Sequence, residues 1–270
     1  MLTLACLAIW SAVLVLPDRK LHVVVCDVGQ GDAILITKGT FQMLIDGGPD
    51  DSVLNCLSKY MPFYDRRIEI AMLTHPQADH LDGLITVAKR YDILQFVIGK
   101  QSNSTLGFKN LWQEINTKKI PTVDLYAGNN IKINQDLEFI VVWPTRRFNT
   151  NDLNGYAISG ILKYGDFKIL LTGDADSDIE LAEMDTGLLM PVDVLKVPHH
   201  GSKTGMIASW LRLISPKVAI ISVGKFNNYG HPTPRALNML AKITDKIYRT
   251  DQNGSVEVVS DGRMWGIYDK

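Results

Sequence analysis

Thr74–Gly83 reads THPQADHLDG and follows directly on the apolar run IEIAML. It sets His75, Asp79 and His80 within six positions at the end of a run with strand composition. The segment LDGLITVAKRY then continues with apolar residues at helical spacing, so the polar cluster sits on a strand-to-helix turn. A strand end lifts side chains to the rim of a sheet, where ligands reach them. Imidazole and carboxylate together at such a rim suit a divalent transition metal if further donors converge from elsewhere in the chain.

Further donors exist at equivalent places. Of the six histidines, only His22 lies inside a strand without a companion. His75, His80, His199, His200 and His231 fall at strand ends or in loops, in the contexts THPQADH, VPHHGSK and NNYGHPTP. Asp174 follows the apolar run FKILLTG. Alone, Asp174 reads equally as the N-cap of the helix SDIELAEM, a role for which Asp176 and Ser177 compete. Several separate strands each ending in a ligand-type residue point to one shared metal centre. Two ions there could hold both a water and a phosphate or carbonyl oxygen, with Asp174 bridging them.

Around these donors the grammar is strand-rich. LHVVVCDV and DAILIT read as paired strands, FQMLIDGG as a strand ending in Asp46, and residues 50–60 as a helix capped by Asp50 or Asp51. LEFIVVWP, SGILKYG, FKILLTGD, VDVLKVP and KVAIISVG read as strands in the second half, and SVEVVSDG with MWGIYDK as a closing hairpin. MIASWLRLI and PRALNMLAKI read as helices. Strand clusters followed by helices, given twice, imply an α/β fold of two sheets packed face to face with helices outside, an αββα sandwich.

The chain has 270 residues, 46% hydrophobic and 21% charged, enough for a substantial core. A net charge of −1 gives no general attraction to nucleic acid, although a local patch with metal ions suffices for an enzyme acting on phosphates. Cys6, Cys26 and Cys56 form no CxxC pair and no even-numbered framework, so they read as buried small apolar residues. Residues 2–16, LTLACLAIWSAVLVL, carry no charge and precede PDRK. They read as the remnant of a transmembrane helix with a linker over residues 1–20, or as an amphipathic or buried helix. Arg19 and Lys20 then hint weakly at a cytoplasmic exit. Residues 21–270 form the expected globular unit.

The residues quoted resemble the metallo-β-lactamase superfamily. THPQADH is similar to its HxHxDH signature, LIDGG to its first motif and LLTGD to the strand whose terminal Asp bridges the metals. The ordered set DVGQGDAILI, LIDGG, LTHPQADHLDGL, LLTGD, LKVPHHGS, VGKFNNYGHPTP and YRTDQNGSVEV resembles, more narrowly, the C-terminal hydrolase domain of ComEC-type competence proteins. That resemblance covers roughly residues 20–270. It implies a sandwich of two mixed β-sheets with flanking helices and a metal-dependent phosphodiesterase or nuclease that degrades one strand of incoming DNA. It implies one or two divalent ions, Mn or Zn, held by His75, Asp79, His80, Asp174 and one or both of His199 and His200. Asp46 would orient these ligands, and His231 would ligate or touch the scissile phosphate. Ser202, Lys203 and, less directly, Lys225 would bind phosphate oxygens. The partners implied are DNA and a membrane-embedded channel portion, with the domain membrane-associated and extracytoplasmic.

Two departures stand out. Gln77 occupies the place of the pattern's second His, and no histidine lies between His80 and Asp174. One metal position therefore has His75 and Asp174 but few other ligands. The other, drawn from Asp79, His80, Asp174 and a late His, is better supplied. The competing readings are a catalytically weak or inactive DNA-binding or structural module of the channel, and a freestanding hydrolase of small esters.

Overall fold

Continuous apolar runs such as LHVVV and FKILL call for strands buried on both faces, and the structure, a computed structural model, provides a place for each face. It describes residues 17–99 and 102–269. In the first half, β1 (Leu21–Val25), β2 (Ile34–Lys38) and β3 (Phe41–Ile45) lead to α1 (Val53–Tyr60) and β4 (Arg67–Leu73). Next come α2 (Ala78–Arg90), β5 (Asp92–Ile98), α3 (Leu106–Lys118) and β6 (Thr122–Val123). In the second half, β7 (Asn130–Lys132), β8 (Leu137–Trp143), β9 (Ser159–Tyr164) and β10 (Phe167–Leu171) lead to α4 (Ser177–Asp185). The chain continues through β11 (Val194–Lys196), α5 (Ala208–Ile214), β12 (Val218–Ile221), α6 (Pro234–Leu240) and β13 (Ile247–Arg249). It closes with α7 (Thr250–Asn253), β14 (Val256–Ser260) and β15 (Trp265–Asp269).

One sheet has eight strands in the order β15-β14-β1-β2-β3-β4-β5-β6, and the other seven in the order β13-β12-β11-β10-β9-β8-β7. Both are mixed: β3 to β6 and β10 to β13 pair parallel, the remainder antiparallel. The two-residue side-chain period sorts each strand between two cores. Leu21, Val23, Met43, Ile45, Phe167 and Ile169 meet between the sheets. Val24 and Leu44 turn outward, onto Leu57 of α1, Leu84 of α2 and Leu111 of α3. Leu170 and Ala219 turn the other way, onto Trp210 of α5 and Leu240 of α6. The αββα sandwich expected from the sequence is therefore the architecture found.

Two expectations are corrected, on the first helix and the cysteines, and the open choice of cap for α4 is decided. The first helix begins at Val53 with Ser52 as N-cap and no side-chain capping bond, because Asp50 instead accepts the Ser52 N–H at 2.8 Å. Asp176, not Asp174, caps α4, accepting the N–H groups of Asp178 and Ile179. Cys26 and Cys56, buried as expected, are joined in a disulfide. The chain leaving β1 passes α1 with the two Cα atoms 5.9 Å apart, within bridging range, which their separation of 30 residues conceals in the sequence. The apolar segment 2–16, including Cys6, lies outside the described residues. Among the described residues no helix is long and apolar enough to cross a membrane.

Candidate metal centre

Strand ends from both sheets meet at one edge of the sandwich. Asp46 follows β3, His75 follows β4, Asp174 follows β10, and His199 and His200 follow β11. Asp79 and His80 occupy the first turn of α2. Gly31, in the loop between β1 and β2, lets that loop approach this turn: a Cβ there would sit 2.0 Å from the Asp79 carbonyl oxygen. Three of the site residues adopt left-handed backbone that non-glycine residues seldom take, Asp46 at φ 59°, His199 at 49° and His200 at 54°. Such conformations persist where surrounding contacts over-determine them. Here the Asp46 N–H donates to the Met72 carbonyl at 2.8 Å and the His199 N–H to the Gly173 carbonyl at 3.2 Å.

The imidazoles are orientated from behind. His80 Nδ1 lies 2.8 Å from Asp46 Oδ2. His200 Nδ1 lies 2.9 Å from the Ser222 carbonyl oxygen. His75 Nδ1 lies 3.0 Å from Thr74 Oγ1, which itself donates to Asp46 Oδ2 at 2.7 Å. Each contact makes Nδ1 the protonated nitrogen and leaves the Nε2 lone pair facing forward, the arrangement in which protein imidazoles serve as ligands.

Those Nε2 atoms converge on one carboxylate. Asp174 oxygens lie 3.3 Å from His80 Nε2, 3.5 Å from His200 Nε2, 3.7 Å from His199 Nε2 and 3.9 Å from His75 Nε2. Asp79 Oδ2 is 3.5 Å from His200 Nε2. The ligand atoms of Asp79, His80, Asp174 and His200 all lie within 4.8 Å of one another. Acceptors facing acceptors in a buried site repel unless a cation lies between them. His75 Nε2, His80 Nε2, His200 Nε2 and Asp174 Oδ1 are all buried and have no hydrogen-bond partner. This donor set fits a divalent ion.

Protons compete with an ion for the same Nε2 atoms. Burial opposes charge on His80 and His200, yet Asp174, with Asp46 and Asp32 respectively, outweighs it and raises both imidazoles well above their usual range. Burial likewise opposes charge on Asp174, which His200 and His80 hold well below the carboxylate range. His75 is pushed down to about 3 by burial and by the positive charge favoured on His80. The cluster thus demands positive charge at its centre.

The remaining expected residues are more peripheral. Half-buried His231 packs its ring 5.9 Å from that of His199. Ser202 is buried, its hydroxyl 3.0 Å from that of Thr204, whereas Lys203 and Lys225 are exposed. Gln77 turns toward the loop after β8, its amide donating to Asn154 Oδ1. A cavity of about 410 Å³ lies against the motif, walled by Gln77, Asp79, Asp82, Asn103 and Tyr229 among others.

Sequence reasoning missed one pair. Lys196, at the end of β11, is fully buried and ion-paired with buried Asp32, and its ammonium also donates to the Gly173 carbonyl at 3.0 Å. Asp32 Oδ1 lies 3.5 Å from His200 Nδ1. A buried lysine survives only when paired, so Lys196 fixes Asp32 across the two sheets beneath the histidines. The available signal was a lone cation inside the apolar strand VDVLKVP.

Fold and site together define the class: the chain belongs to the metallo-beta-lactamase superfamily, which residues 26–225 match. Within it the chain is similar to ComE operon protein 3 of Bacillus subtilis, at 29% identity over 192 residues, 71% of this chain and 24% of that protein. It is similar also to Competence protein ComA of Neisseria gonorrhoeae, at 26% over 258 residues, 89% of this chain and 32% of the other. The similarity is thus to ComEC-type competence proteins, and the chain spans about a quarter to a third of their length. The metallo-beta-lactamase fold protein YhfI of Bacillus subtilis shares the fold, with a TM-score of 0.55 at 11% identity, covering 85% of this chain and 95% of YhfI.

Proposed function

We propose that this chain is the metal-dependent hydrolase domain of a ComEC-like DNA-uptake protein, cutting phosphodiester bonds in one strand of incoming DNA. The observation that carries the reading is the convergence of the His75, His80 and His200 Nε2 lone pairs on Asp174 at the rim of the sandwich. Asp79, His80, Asp174 and His200 would hold one divalent ion, of which Mn and Zn match the nitrogen and oxygen donors. His75 and His199 lie farther from Asp174 and would complete a second, weaker position. Such an ion lowers the pKa of a water toward neutrality and offsets charge on a phosphate oxygen. Asp46 keeps the tautomers of His75 and His80, directly or through Thr74. Half-buried His231 faces the phosphate from the rim, with Lys203 and Lys225 offering exposed charge to neighbouring phosphates. Ser202, bonded to the Thr204 hydroxyl, shapes the loop that carries Lys203.

The names of the relatives support the DNA-uptake setting, and with it a membrane-embedded channel portion as partner. The Cys26–Cys56 disulfide supports an oxidising, extracytoplasmic side, since such bonds rarely persist in the cytosol. Gln77, tied to Asn154, favours one tightly held ion over two.

Metal analysis of the purified chain, paired with a DNA cleavage assay in Mn, Mg and Zn, tests the reading. At least one bound equivalent and cleavage that His80→Ala abolishes, with the fold intact, are expected. Metal-free protein that still binds DNA would instead establish the non-catalytic module.

A further inference from the structure

Next to the metal cluster the loop following β12 holds two large apolar side chains in solvent. Phe226 is 88% exposed and Tyr229 69%. Folding normally hides such rings, and a rigid loop that displays two of them beside a charged cleft marks a contact surface. The loop is well fixed. Asn227 Oδ1 accepts the N–H groups of Tyr229 and His231, at 3.2 and 2.9 Å, and its amide donates to the carbonyls of Gly224 and His231, at 2.8 and 2.7 Å. The Tyr229 ring stacks on His231, with centroids 5.7 Å apart and planes 28° apart, and also walls the cavity that Asp79 and Gln77 line. The Lys225 ammonium lies 5.8 Å from the centre of the Phe226 ring.

We propose that Tyr229 and Phe226 form a stacking platform for unpaired nucleobases of the strand whose phosphate lies at the metal cluster. The proposal rests on the phosphodiesterase reading above and narrows its substrate to single-stranded polynucleotide. Aromatic faces accept any base regardless of sequence, but only a base that is not already stacked in a duplex. The neighbouring Lys225 matches the charge of the backbone between successive bases. The His199–His231–Tyr229 ring series runs from the metal cluster outward, so a base on Tyr229 belongs to a nucleotide at or beside the scissile bond.

The test uses fluorescence anisotropy of the purified chain in Mn²⁺ with two labelled probes of about 12 nucleotides, a span typical of single-strand sites. One is oligo-thymidine and the other an abasic strand of equal length and charge, both phosphorothioate-linked to slow cleavage. Oligo-thymidine is expected to bind about 10-fold or more tightly than the abasic strand. Tyr229→Ala and Phe226→Ala should each shrink that ratio, and Tyr229→Trp should preserve it; both positions are exposed, so the fold is not at stake. Equal affinity for the two probes, binding of neither, or an undiminished ratio in both alanine variants overturns the platform. DNA cleavage without base preference leaves the phosphodiesterase reading standing alone. A base preference that these variants abolish, in protein that cuts nothing in Mn, Mg or Zn, supports the platform and removes the catalytic reading.

Discussion

Asp46 Oδ2 and His80 Nδ1 lie 2.8 Å apart, both fully buried, with Asp46 held in left-handed backbone at φ 59°. The same oxygen also accepts the Thr74 hydroxyl, so a single carboxylate sets the direction of two imidazoles. Asp46→Asn preserves shape but removes the charge and offers one acceptor oxygen in place of two. Metal affinity is expected to fall about 10- to 100-fold, the usual cost of losing a ligand's orienting partner. Competition with a chromophoric chelator measures it. Wild-type affinity would show that Asp46 serves folding alone.

Gln77 supplies a converse test. Its amide bonds to Asn154, and no imidazole occupies its place in the motif. Gln77→His should raise the metal stoichiometry toward two by strengthening the position near His75. Inductively coupled plasma analysis across a metal titration reads this directly, and an unaltered stoichiometry counts against a weak second position.

Much of this site could be read from the chain because strand composition is local. THPQADH, LLTGD and VPHHGS each follow an apolar run, and the sandwich brings those run ends to one edge. What remained hidden depends on distant pairing. Asp32 and Lys196 meet across the two sheets, and Cys26 meets Cys56 only because α1 folds back over the chain leaving β1. No local pattern encodes either meeting. The short strands β6 and β7 were also silent: they are two and three residues long, too short for a period to register.

The disulfide closes a loop of 30 residues. Chain-entropy arguments give it about 3–4 kcal/mol of stability. Denaturant midpoints with and without reductant should differ accordingly, and thiol titration of protein secreted to an oxidising compartment should find Cys26 and Cys56 unreactive. Two reactive thiols at these positions in native protein would contradict the bond.

Buried carboxylates on α4 give a pH signature away from the metal cluster. Glu183 accepts the Trp210 indole N–H at 2.8 Å and the Ser159 hydroxyl, and burial pushes its carboxyl up to about 7. Glu180 accepts the N–H groups of Met206 and Ile207, and burial pushes it up to about 8. A carboxyl with a raised folded pKa binds its proton more tightly in the folded state. Its contribution is complete below about 4.5, the ordinary value, and declines as pH rises to about 7 for Glu183 and 8 for Glu180. Between pH 5 and 8 the wild type should therefore lose more stability than Glu183→Gln, by on the order of 2 kcal/mol. Urea unfolding at the two pH values checks it, and parallel losses would mean that Glu183 titrates normally.

Gly83 tests how tightly the motif helix is set against the loop that carries Asp46. Within a helix, glycine to alanine ordinarily gains up to about 1 kcal/mol. Here the helix meets backbone instead of solvent: the Gly83 N–H donates to the Gly48 carbonyl at 3.0 Å, and the Gly47 N–H donates to the His80 carbonyl at 2.7 Å. A Cβ on Gly83 would lie 1.9 Å from the Gly47 carbonyl oxygen and 2.6 Å from that of Asp50, neither the mobile end of a side chain. Gly83→Ala must therefore push α2 and the Asp46–Gly48 loop apart, at a cost of about 1–3 kcal/mol for the overpacking. Because Asp46 rides on that loop and His80 on that helix, their 2.8 Å contact should lengthen and metal affinity fall with stability. Thermal unfolding and metal competition on the same variant measure both effects. A stabilised protein with unchanged metal binding would show that the two segments part freely and that their close approach does not position the site.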